Sequence, residues 1–297
     1  MKRIKQAGLI ILVILVSGLM IHAVPEEVKK KVTQEGTSNY FPIAVDFAGE
    51  PAPLNIIDVR ERFDRELLVN ANLDATTLLI IKRANRAFPI IEPILLKHGI
   101  PDDFKYLAVI ESGLLNAISP AGAKGIWQFM PDTAREYSME VNENVDERYH
   151  LEKATEAACR YLIAAKQKFG SWTLAAASYN GGMTGVNRQI ELQKVTNYYD
   201  LLLTDETFRY VFRILALKEI MKNPQLYGFD IVPEELYQNL PVKKIEVDSA
   251  ITDLANFAKM QGINYKILKI HNPWLRDKKL LNASKKKYLI EIPLSGY

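Results

Sequence analysis

The sequence predicts a mainly helical chain that closes with a small α+β module. Three observations carry this. From Ile56 to Met221 apolar residues recur at helical three- and four-residue spacing, as at Ala75, Leu78 and Leu79 or Leu78, Ile81 and Ala84. No stretch alternates strands with helices, which disfavours a doubly wound parallel sheet. After Pro241 the pattern changes to short strand-like runs on either side of two short helices.

Taken in order, Lys2, Arg3 and Lys5 precede the aliphatic run from Leu9 to Val16, and Ser17, Gly18 and Ala23 follow. A basic start, a short apolar core and small residues describe a secretory signal. The rival is an uncleaved anchor, because the apolar stretch is only just under the ~20 residues of a spanning helix. Residues 1–24 are therefore a signal peptide or membrane anchor, with cleavage favoured, and the body is expected in the periplasm or cell envelope. Residues 25–71, rich in proline at first, are expected as an arm or linker. Residues 72–228 form the expected catalytic domain. Within it, Gly99 stops one helix, Gly170 ends an alanine-rich helix from Ala154 to Phe169, and Trp172 to Tyr179 runs into Gly181-Gly182. Thr204-Asp205-Glu206 opens a helix to Met221, stopped by Asn223-Pro224. Residues 229–297 make a linker and a small module, with strands at Ile245–Val247 and Tyr288–Ile292 and helices at Ser249–Lys259 and Tyr265–Ile270.

Composition narrows the function. The 297 residues carry a net charge of +3, and the first 24 contribute three basic residues and no acid. The body is thus neutral, which argues against a nucleic-acid partner. One cysteine, Cys159, excludes an intrachain disulfide and a cysteine metal cluster. The four histidines are scattered, so no metal is expected. An exported protein has no supply of ATP or reduced nicotinamide, and no cofactor is expected. The lysines at 278–279 and 285–287 read as a solvated face.

Chemistry concentrates in three places. In Pro101-Asp102-Asp103-Phe104 the proline suits a first helical position and the aspartates complement the helix dipole. Phe104, Leu107 and Ala108 form the buried stripe, and Glu111 lies seven, four and three residues beyond them, on the same face. A carboxyl there loses solvation when charged, so its pKa rises and it suits a general acid. A solvent-facing or Arg-paired Glu111 at the helix end is the structural alternative. The second place is a glycine-rich turn, residues 119–125, leading into Ile126-Trp127-Gln128-Phe129-Met130-Pro131; it lacks the phosphate-loop signature. The third is Ser178-Tyr179-Asn180-Gly181-Gly182, which carries an aromatic and an amide into a turn.

Glu111-Ser112, the Gly122-to-Pro131 segment and Tyr179-Asn180-Gly181-Gly182 together resemble the three motifs of the soluble-lytic-transglycosylase family, in the membrane-bound lytic murein transglycosylase D type. The resemblance covers roughly residues 72–221. It implies a lysozyme-like fold of the goose type, with Glu111 as sole catalytic acid and Ser112 paired with it. Ser119, Gln128 and Met130 match positions that line a glycan groove, Tyr179 matches a tyrosine near the glutamate, and Asn180 contacts sugar or shapes its turn. Ser178 stands where alanine is usual, and Ser119 follows Glu111 by eight residues where many relatives have nine. Met130 precedes a proline, which biases it to extended backbone. Trp127, Phe129 and Cys159 are expected in the core.

The C-terminal module resembles a LysM repeat, though the usual opening with an aromatic residue and a glycine-aspartate turn is missing. Glycan binding and a purely structural role both stay open for it. The expected activity is non-hydrolytic cleavage of the MurNAc-β-1,4-GlcNAc bond, with Glu111 as acid and then base and peptidoglycan strands as partner. The alternatives are a muramidase of the goose-lysozyme type and a non-catalytic peptidoglycan-binding protein. Membrane contact would come only through an uncleaved anchor, and the oligomeric state is left open.

Overall fold

A computed structural model describes residues 40–296. The expected export segment lies outside the described residues. A hairpin of β1 (Asp46–Phe47) and β2 (Glu50–Pro51) leads into helices α1 (Ile57–Ala71), α2 (Asp74–Lys97) and α3 (Lys105–Ser112). Then follow α4 (Pro131–Glu136), α5 (Leu151–Phe169), α6 (Trp172–Gly181), α7 (Met183–Gln193) and α8 (Asp205–Lys222). The helical pattern from Ile56 onward is therefore what the chain forms. Helix α8 is the central element, packed along α1, α3 and α6, while α5 lies between α2 and α6. Val211, Phe212, Ile214 and Leu215 of α8 are fully or almost fully buried.

The arm expected over residues 25–71 is corrected at its C-terminal end, because α1 belongs to the helical core. Val59, Phe63 and Leu67 recur every fourth residue and are buried, which suffices to seat a helix otherwise dominated by charge. Glu66 on the same face is 2% exposed. Two arginines compensate it, Arg65 at 2.5 Å and Arg209 of α8 at 2.6 Å. A buried carboxylate without such partners would be strongly destabilising.

Two long-range polar contacts hold the hairpin on the core. Glu50 accepts hydrogen bonds from the backbone N–H groups of Trp172 (2.6 Å) and Thr173 (2.9 Å) and from the Ser171 hydroxyl. It thus satisfies the open N-terminus of α6 and complements its dipole. Asp103 accepts from Lys218 of α8 at 2.6 Å and from the Ala48 N–H. Asp102 and Asp103 open a 3-10 turn, with Pro101 just before it and α3 just after. Asp103 therefore anchors the hairpin and α8 in addition to complementing a helix start.

The C-terminal module is an antiparallel pair, β3 (Val242–Val247) with β4 (Tyr288–Pro293), covering α9 (Leu254–Met260) and α10 (Tyr265–His271). Residues 249–253 are not helical as expected. Asp253 caps the backbone N–H groups of Ala255 and Asn256, so α9 starts at Leu254. The module shares its core with the helical part: Val145 and Tyr149 cluster with Leu254, Leu268, Trp274, Leu280 and Ile290. Asp146 N–H donates to the Trp274 carbonyl at 2.9 Å, and Arg276 N–H to that of Asn144 at 2.8 Å.

One lysine of the expected solvated face, Lys286, is braced against the helical part. Lys286 pairs with Glu140 and Glu147 at 2.6 and 2.9 Å, and Lys244 reaches Glu152 and Glu291. The module's basic excess of six charges is in part consumed against the acidic wall on which it sits.

Candidate active site

Helix α3 is buried along Tyr106 to Ile110 and ends at Gly113, which adopts the left-handed conformation at φ 59°. This places Glu111 in the last turn, half-buried, with its carboxyl turned inward. Burial pushes its pKa up from an ordinary 4.5 to about 7. The Tyr210 hydroxyl, which donates to Oε1, and the charge of Arg213 act the other way. The negative charge of Glu206 adds to the rise. Desolvation dominates, so the group is balanced between acid and base at neutral pH.

Neither Tyr210 nor Arg213 is among the residues expected from sequence. Both lie on α8, one turn apart, and Tyr210 is separated from Glu111 by 99 positions. Tyr210 is 2% exposed. Burial raises its phenol well above 10, and that of Tyr179 likewise. Both therefore remain protonated donors at neutral pH. Arg213 donates to the Ile110 carbonyl at 3.2 Å, bonding the frayed end of α3.

Ser112 does not bond Glu111. Its hydroxyl donates to the Ile126 carbonyl at 2.8 Å and ties α3 to the glycine-rich loop. Ser119 caps that loop, accepting from the Ala123 N–H at 3.0 Å. Gln128 sits at φ 50°, in the left-handed region that non-glycine residues rarely adopt. Its amide Nε2 donates to the carbonyls of Gly125 (2.7 Å) and Ala117 (3.2 Å), which over-determine the strained backbone. Met130 is extended at φ −71° and ψ 152° before Pro131, as expected, and is 42% exposed.

Gly125 is required for a second reason besides its φ of 81°. A Cβ there would lie 1.8 Å from the Arg148 carbonyl oxygen. Arg148, buried and paired with Asp146 at 2.8 Å, also donates to the carbonyls of Gly122 and Phe129. The loop is thus clamped from behind.

Tyr179 donates to the Trp127 carbonyl at 2.9 Å, and its ring packs edge-on against Phe129 and Tyr161. Trp127, Phe129 and Cys159 are buried, as expected. The Asn180 Oδ1 accepts from the Thr207 hydroxyl at 2.7 Å, so this amide oxygen shapes the α6–α8 junction. Glu111, Tyr179 and Tyr210 interact with one another electrostatically. Ser112, Gln128 and Tyr179 are joined to them through the loop backbone, while Ser119 lies at the loop's far end and Met130 at its exit.

The sequence that builds most of this site is similar to a known domain. Residues 90–202 align with the transglycosylase SLT domain. That stretch holds Glu111, the glycine-rich loop and Tyr179, while Tyr210 and Arg213 lie beyond it. Residues 243–296 align in turn with the soluble lytic transglycosylase C-terminal LysM-like domain. Over 200 residues the chain is 31% identical to membrane-bound lytic murein transglycosylase D of Escherichia coli strain K12, and equally to the protein of that name from strain O6:H1. The aligned region is 65% of this chain and 43% of each relative. The chain therefore spans less than half the length of these relatives. The SLT match includes all seven residues expected at the site, and the LysM-like match coincides with the β3–α9–α10–β4 module.

Proposed function

We propose that this chain cleaves the MurNAc-β-1,4-GlcNAc bond of peptidoglycan without water, leaving 1,6-anhydromuramyl ends. The observation that carries the reading is the Glu111 carboxyl, raised to about 7, held by Tyr210 and lying in the stretch that aligns with the SLT domain. Protonated Glu111 gives its proton to the bridging oxygen as the bond from the muramyl anomeric carbon to that oxygen breaks. The carboxylate then takes the proton of the muramyl C6 hydroxyl while O6 bonds to the anomeric carbon. The proton lost in the first step returns in the second, so the group is regenerated. An intramolecular hydroxyl can reach effective molarities of ~10⁵ M or more, which favours ring closure over attack by water. Tyr179 and Tyr210 stay neutral and fix the carboxyl and the loop. Gln128 and Met130 flank the glycan.

One observation favours a second reading. A muramidase needs a carboxylate to activate water, and the exposed Glu206, one turn before Tyr210 on α8, is near enough to influence Glu111. Digestion of purified sacculi in ¹⁸O-water separates the two. Unlabelled, non-reducing anhydro ends are expected. Label at the new muramyl ends would establish the hydrolase, and failure to release any muropeptide would leave only a binding protein.

A further inference from the structure

Where the catalytic domain meets the LysM-like module, a cavity of ≈ 560 Å³ opens, a size typical of ligand sites. Glu111 does not line it. Its wall begins at Leu114, three residues after Glu111, and continues through Arg83 and Arg86 of α2 to Trp274 and Glu291 of the module. Trp274 closes one side, only 4% exposed and stacked on both His150 and Tyr288, with ring centres 5.9 and 5.5 Å away.

The charges of this cavity are not balanced. Glu291 pairs with Lys244 at 3.0 Å. Glu152, also on the wall, pairs with His150 at 3.1 Å and Lys244 at 3.5 Å. Lys244 thus offsets one of the two carboxylates, and His150 offsets the other when protonated. Arg83 and Arg86 form no ion pair with any described carboxylate. Arg83 is half-buried and donates to the Gly113 carbonyl at 3.1 Å, and Arg86 donates to that of Gln238 at 2.8 Å. Each guanidinium has five N–H donors, so both keep donors for a planar anion.

We propose that this cavity holds the acidic stem peptide of the strand, with its free carboxylates on Arg83 and Arg86. The inference rests on peptidoglycan being the substrate, and it follows from charge. The sugars of the backbone are neutral once the lactyl carboxyl is joined to the peptide, so only the stem can answer two unpaired arginines. The cavity is close to the site, since Leu114 on its wall is three residues from Glu111 and so at most about 10 Å away along the chain.

Fluorescence anisotropy tests this without any turnover. The probe is a labelled synthetic stem tetrapeptide with two free carboxylates and one free amine, titrated with the full chain. Binding is expected, at least tenfold weaker when both carboxylates are amidated. Arg86→Glu should weaken binding at least tenfold with an unchanged melting temperature, because Arg86 is exposed. Arg83→Gln is the second variant and should weaken it several-fold. Equal affinity for the amidated peptide, no binding at millimolar protein, or wild-type affinity in both folded variants would overturn the proposal. Sacculus cleavage by a chain that does not bind the peptide overturns this inference alone. Peptide binding by a chain that does not cleave overturns only the proposed reaction.

Discussion

Replacing Glu111 with glutamine should stabilise the protein while removing its activity. The native carboxyl titrates at about 7, against an ordinary 4.5 in the unfolded chain. Between those values the native state binds more protons than the unfolded state, so stability falls as pH rises through that window. At 1.36 kcal/mol per pH unit, the gap is worth about 3 kcal/mol. Discounting for the half-exposed residue leaves roughly 2–3 kcal/mol. Glutamine cannot ionise and so avoids this cost, while its amide oxygen can still accept from Tyr210. The variant should therefore melt roughly 3–6 °C above wild type at pH 8, and the advantage should vanish near pH 4. Thermal unfolding at both values measures it. Activity on sacculi should drop by ~10²–10⁴-fold or more, because one group serves as both acid and base. A melting difference that does not change between pH 4 and pH 8, or a variant that still releases muropeptides, would refute the reasoning.

Tyr210→Phe removes the bond that favours the charged form of Glu111, so the alkaline limb of the rate profile should move to higher pH. Turnover should fall roughly tenfold or more, on the scale of one bond to a charged group; an unmoved limb would count against the pairing. Glu206→Gln removes a repulsive charge, so the same limb should move to lower pH with the anhydro product retained. A hundredfold loss there would favour the hydrolase. Gly125→Ala drives a Cβ into the Arg148 carbonyl and should cost about 3 kcal/mol or more, read as a lowered urea midpoint. Wild-type stability in that variant would mean the loop is not clamped.

How much of this was legible in the sequence depended on distance along the chain. Glu111 could be placed on the buried face of its helix because the evidence lay within seven residues. Met130 was readable from the proline that follows it. Tyr210 was not, since its partner is 99 positions away and a tyrosine on an apolar helix face looks like any other core residue. Helix α1 was partly hidden by its charges, which outnumber its buried apolar residues. Glu50 gave no local sign that it caps a helix more than a hundred residues on. Lys286 looked like a solvated charge because the acids that neutralise it, Glu140 and Glu147, belong to another domain.

In the chain the catalytic and LysM-like parts are separated by a linker, yet in space they own a common wall. Val145 and Tyr149 are side chains of the first part lodged in the core of the second. Arg148, between them, grips the loop that presents Gln128 and Met130. The module thus acts as a buttress: cutting it away would bare an apolar face, strand Glu140 and Glu147, and slacken the back of the glycine-rich loop. A drop in activity after truncation would consequently report on the groove's foundations as well as on anything the module itself binds.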